Sequence, residues 1–142
     1  MKTKALQVMA GILMLPILSL AQKKNQDSKH RIVIQFNDAD SVSQVRSVLQ
    51  VENIRKIWAD AEIEVVCLGM GLDMLTNKNS KVSKQIADWT AKGVTFAACN
   101  NTMNVRNIKK EDLISQAVVI PAAVIELAMK QEAGWSYFKG GK

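Results

Sequence analysis

Four short apolar runs, at residues 32–34, 63–68, 94–98 and 117–120, are each separated from the next by a segment long enough to hold a helix. That spacing constrains the fold more than any other feature of the chain. The runs are nearly continuous rather than alternating, as in Ile32-Val33-Ile34 and Val65-Val66-Cys67-Leu68. This is the pattern of strands buried on both faces, which parallel sheets require. Parallel neighbours also need a crossover connection, and the intervening segments are helical in character. With a fifth short strand at residues 135–138, the order β-α-β-α-β-α-β-α-β predicts an α/β fold. Its form is a doubly wound, mainly parallel sheet of about five strands in a three-layer α/β/α arrangement.

The segments between the runs carry their own punctuation. Asp38, Asp40 and Ser41 supply N-cap candidates for a helix reaching Trp58. Its apolar residues do not form one stripe: Val42, Val45 and Leu49 share a face, while Val51, Ile54 and Trp58 fall opposite. Either this helix breaks, or it is covered twice, by the sheet and by another subunit. Gly69-Met70-Gly71 permits a sharp turn after the second strand. Met74 stands where a dinucleotide fingerprint needs its third glycine, so a short helix around residues 72–75 fits better. Val82, Ile86 and Trp89 mark an amphipathic helix over residues 81–92, closed by Gly93. A short helix fits residues 109–114. Pro121 suits the first turn of a last helix running to about Glu132, with Gly134 closing it.

The N-terminus reads as a targeting segment. Lys2 and Lys4 precede an apolar run over residues 5–20, and Ser19-Leu20-Ala21 offers small residues where signal peptidase reads them. The expectation is a signal peptide over residues 1–21 cleaved after Ala21, a polar leader over 22–30, and a single domain over 31–142. The product would be an exported, periplasmic protein with no membrane attachment after cleavage. Loss of Lys2 and Lys4 lowers the formal net charge from +6 to +4. With that mild excess and only seven aromatic residues, nucleic-acid binding has no support.

Few residues can carry chemistry. His30 is the lone histidine and lies in the leader, so nucleophile–histidine pairs lack a partner. No metal-ligand spacing, P-loop or calcium-loop pattern occurs, and no metal or cofactor is expected. The carboxylate pairs Asp38/Asp40 and Glu111/Asp112 precede or open helices, where capping accounts for them. Cys67 sits inside an apolar strand and reads as core. Cys99 differs, because it stands where the third strand meets Asn100-Asn101-Thr102, at the carboxyl end of the strand, where ligands collect in open α/β folds. A turn or helix start there would offer N–H groups to a thiolate, and Arg106, Lys109 and Lys110 lie within reach of a folded-back loop. A small, inert residue ending a strand is the competing reading. A Cys67–Cys99 disulfide is a third possibility, if the strand ends bring the two residues together.

Four ordered blocks resemble landmarks of the DsrE/DsrF-like family: residues 63–71, residues 93–103 containing Phe96-Ala97-Ala98-Cys99-Asn100-Asn101, then Val119-Ile120-Pro121, and residues 131–137. Leu68 and Met70 stand where many relatives carry His and Pro. The resemblance implies a compact α/β/α domain that assembles into homo-oligomers, as trimers or hexamers. It also implies that Cys99 occupies the position of the sulfur-accepting cysteine of relay members, which receive sulfur as a persulfide and pass it to a partner protein. On that basis Cys99 is expected to be the sulfur acceptor, with Asn100, Asn101 and Thr102 supporting its thiolate. The alternative is an oligomeric binding module in which Cys99 is inert.

Overall fold

The computed structural model describes residues 29–142. The expected signal peptide and most of the leader lie outside the described residues. The strands β1 (Arg31–Phe36), β2 (Glu62–Cys67), β3 (Thr95–Cys99), β4 (Ala117–Ile120) and β5 (Ser136–Lys139) form one sheet. Its order is β4-β3-β2-β1-β5, and every pairing is parallel. The helices are α1 (Ser41–Ile57), α2 (Ser83–Ala91), α3 (Asn100–Val105) and α4 (Ala123–Glu132), with 3₁₀ turns at Gly69–Leu75 and Lys110–Asp112.

The order of the strands decides which face each helix covers. From β1 to β4 the chain steps one place at a time in one direction, so right-handed crossovers lay α1, α2 and α3 on the same face. The return from β4 to the far edge at β5 reverses that direction and puts α4 on the other face. Alternation along the strands divides the core accordingly. Ile34, Phe36, Val65, Cys67 and Phe96 pack with Val51 of α1, Ile86 of α2 and Met103 of α3. Val33, Val66, Ala97, Cys99 and Ile120 pack with Ala123 and Leu127 of α4. The three layers are present but unequal.

Local details follow from named residues. Asp40 caps α1, its carboxylate accepting from the Ser43 N–H at 2.8 Å and from the Ser43 hydroxyl at 2.8 Å. The helix does not break. It buries Val48 and Val51 together with Ser43, Gln44 and Ser47, and leaves Val42, Val45 and Leu49 exposed. The polar residues go inward because Gln44 bridges to the segment before α2, accepting from the Lys81 N–H at 2.9 Å and donating to the Asn79 carbonyl at 3.5 Å. The two glycines after β2 serve geometry: Gly69 adopts φ +55°, and a Cβ on Gly71 would collide with the Phe36 carbonyl oxygen and the Asn37 backbone. Pro121 precedes the extended N-cap residue Ala122, so α4 starts two residues beyond it.

Candidate functional site

Cys99 is both the last residue of β3 and the N-cap of α3. Strand alternation turns Phe96 and Ala98 toward α1 and α2, and turns Ala97 and Cys99 toward α4. Pairing with β4 sets Cys99 opposite Ile120, three residues before α4 begins. The parallel register thereby delivers the start of α4 to the sulfur. The Ala123 N–H, first in that helix, donates to Cys99 Sγ at 3.3 Å.

Residues 100–102 form the first turn of α3 rather than an irregular loop. Burial, with the side chain only 4 % exposed, acts to raise the Cys99 pKa. The Thr102 N–H, the Ala123 N–H, the Thr102 hydroxyl and the Asn101 N–H act the other way and outweigh it. The thiol is therefore held below its ordinary value. Thr102 can donate because its Oγ1 accepts from the Gly69 N–H at 3.0 Å, leaving its own hydrogen for the sulfur. Asn100 opens α3 and lines a separate surface hollow with Met103, Asn104 and Val119.

The cations near Cys99 in sequence are directed elsewhere. Arg106 donates to the Gly69 carbonyl at 3.0 Å and to Asp73 Oδ1 at 2.7 Å, so it fastens α3 to the turn after β2. That fastening holds Gly69 against Thr102. Lys109 and Lys110 are exposed, and Asp112 caps its own 3₁₀ turn by accepting from the Lys109 N–H at 2.8 Å. His30 stacks on Trp58, ring centroids 3.9 Å apart, just before β1 and at the opposite end of the sheet from Cys99.

Cys67 ends β2 one strand away, yet its side chain belongs to the larger core. It is wholly buried without a hydrogen-bonding environment, and burial alone pushes its pKa up. The two cysteines face opposite sides of the sheet and both are free thiols, so the disulfide considered from sequence does not form in this fold. One feature missed by sequence reading lies beneath α4. Glu64, in the apolar run of β2, is 5 % exposed and forms an ion pair with Lys130. The signal for it was a carboxylate inside the run of residues 63–68, which is otherwise built of Ile, Val, Cys and Leu.

Comparison with known proteins decides the family. The DsrE/DsrF-like family profile matches residues 30–139. The chain belongs to the DsrE/DsrF-like family. Solved DsrE-like neighbours agree with the architecture. MTH1491 of Methanobacterium thermoautotrophicum superposes with a TM-score of 0.68 at 30% identity, over 78% of this chain and 99% of that one. The ychN protein of E. coli gives a TM-score of 0.63 at 15% identity, over 79% of this chain and 99% of its own. BT1422 of Bacteroides thetaiotaomicron gives 0.59 at 15% identity, over 77% and 93% respectively. A search of curated proteins returns no match.

Proposed function

We propose that this DsrE-like domain carries sulfane sulfur on Cys99. The observation that carries the reading is the Ala123 N–H 3.3 Å from the nearly buried Cys99 sulfur, at a point where the first turn of α3 also acts to lower the thiol pKa. Donors of this kind raise the thiolate fraction at a given pH, and it is the thiolate that attacks. In the loading step Cys99 S⁻ attacks the outer sulfur of a donor persulfide or polysulfide. A new S–S bond forms on Cys99, the donor's own S–S bond breaks, and the donor leaves as a thiolate or shortened polysulfide. Delivery reverses the order: an acceptor thiolate takes the outer sulfur, and Cys99 departs as a thiolate. A low thiol pKa favours that departure, because better-stabilised thiolates leave faster. The cycle requires no metal or cofactor, and sulfur is passed on without net oxidation.

Membership of the DsrE/DsrF-like family and the match of Cys99 to the relay position support this reading. The pattern over residues 1–21 extends it to an exported, periplasmic carrier that meets its sulfur donor and acceptor proteins there. Exposed Val42, Val45 and Leu49 on α1 extend it to a homo-oligomer, a trimer or hexamer.

The test is peptide-resolved mass spectrometry after the folded protein is exposed to polysulfide or thiosulfate, with free cysteine as control. One added sulfur on the Cys99 peptide supports the carrier. No added sulfur there, while the control gains it, ends the proposal. The 4 % exposure of Cys99 favours a second reading, a binding module with an inert thiol. In that case native-state thiol titration gives no reaction of Cys99 until the protein unfolds.

A further inference from the structure

Among the described residues α4 is the one helix on its face of the sheet, and its two ends are held by different means. The first end meets Cys99 through the Ala123 N–H. The second is fixed by charge. Lys130, two turns and about 10 Å further along the helix, pairs with Glu64 on β2 and lies 3.6 Å from Glu126 on its own helix. Its ammonium also sits 4.1 Å from the centre of the Trp135 ring. On β1, Arg31 donates to the Ala133 carbonyl at the C-cap of α4, at 2.9 Å. The residues paired beside Glu64, Val33 on β1 and Thr95 on β3, are uncharged.

We propose that the pair between buried Glu64 and half-buried Lys130 is a positioning device for Cys99: by fixing α4 against β2, it holds the Ala123 N–H on the sulfur. Apolar contacts alone leave a helix free to slide by fractions of an ångström, and a hydrogen bond to sulfur is sensitive to such shifts. A buried ion pair has one narrow geometry, since displacement leaves charge uncompensated in the core. Evidence that burial matters at Glu64 comes from its carboxyl, whose pKa burial raises even though Lys130 opposes that effect. The inference rests on the carrier reading for its biological meaning, but its test does not.

The experiment measures the pH midpoint of Cys99 alkylation by iodoacetamide, resolved by peptide, in the folded full chain. Glu64→Gln keeps the shape and leaves Lys130 its Glu126 partner. A second variant, Glu64→Leu with Lys130→Met, replaces the pair by apolar groups and leaves no stranded charge. Both are expected to raise the Cys99 midpoint by about half to one pH unit, three- to tenfold less thiolate at neutral pH. Ile86→Ala, which weakens packing on the other face, is expected to leave the midpoint in place. An unchanged midpoint in either folded pair variant overturns the inference, as does an equal shift in Ile86→Ala. If sulfur loads onto wild-type Cys99 while the variants titrate normally, the inference fails alone. If the midpoint shifts as expected but wild type takes no sulfur, the carrier reading fails and the positioning role stands.

Discussion

Cys67 and Cys99 end neighbouring strands, and the fold gives them opposite chemistry. Cys67 faces the thick layer of α1 and α2, where hydrocarbon surrounds it and burial pushes its pKa up. Cys99 faces the thin layer, where α4 stands alone among the described helices and its first N–H reaches the sulfur. Both have little exposed surface, at 0 % and 4 %, but Cys67 lies deeper in the core, so burial acts more strongly on it. What also separates them is whether backbone donors without other partners end at the thiol. A single-residue difference in strand position, Cys67 pairing with Ala98 rather than with Cys99, sends the side chains to opposite faces.

The comparison can be broken most decisively at the thiols. Cys99→Ser is expected to abolish sulfur loading, whereas Cys67→Ala is expected to retain it; intact-mass measurement after polysulfide treatment reads both. The next largest effect concerns the two layers. Leu127→Ala under α4 and Ile86→Ala under α2 are each expected to cost about 2–5 kcal/mol of stability in urea unfolding. Only the Leu127 change is expected to alter Cys99 alkylation, since α4, unlike α2, contacts the sulfur.

The alkaline limb of stability sharpens the contrast further. Cys67 has a raised pKa in the folded state, so its stabilising contribution is complete below the unfolded thiol value of about 8.5. Above that pH it is lost by about 1.4 kcal/mol per pH unit. Cys99 has a lowered pKa, so its contribution is present above about pH 8.5 and is lost as pH falls through the folded value. Unfolding measured from pH 7 to 10 is expected to show a shallower alkaline decline in Cys67→Ala and a steeper one in Cys99→Ala. The smallest expected effect is at Thr102. Thr102→Val removes a hydroxyl that acts to lower the Cys99 pKa, and the thiolate fraction at neutral pH is expected to fall about threefold. Stopped-flow alkylation checks it, with Cys67 silent throughout.

Much of the fold was legible because apolar runs mark buried parallel strands. β1, Arg31–Phe36, is built around the apolar run at 32–34, β4 at Ala117–Ile120 has the limits read from sequence, β2 ends one residue before Leu68, and β3 and β5 each sit one residue further along the chain than read. The inward face of α1 was not legible, since hydropathy does not reveal that Gln44 spans to Lys81 and Asn79. At the site, a polar turn after Cys99 could be read from Asn100, Asn101 and Thr102, but the support comes from two backbone N–H groups and one hydroxyl of that stretch. Ala123 was beyond reach because it meets Cys99 only through the β3–β4 register. Arg106 was expected near the sulfur as a cation, and is instead spent on Asp73 and the Gly69 carbonyl. The Glu64–Lys130 pair joins residues whose proximity depends on α4 crossing to the second face, which hydropathy along the chain does not show.

The fold lowers the Cys99 thiol pKa through N–H donors and raises that of Cys67 through burial. The most direct measurement is peptide-resolved alkylation of both cysteines in the native chain across pH, beside free cysteine. The account predicts that Cys99 reacts with a midpoint below that of free cysteine and that Cys67 does not react until unfolding. A Cys99 that stays silent, or that titrates at or above free cysteine, would contradict it.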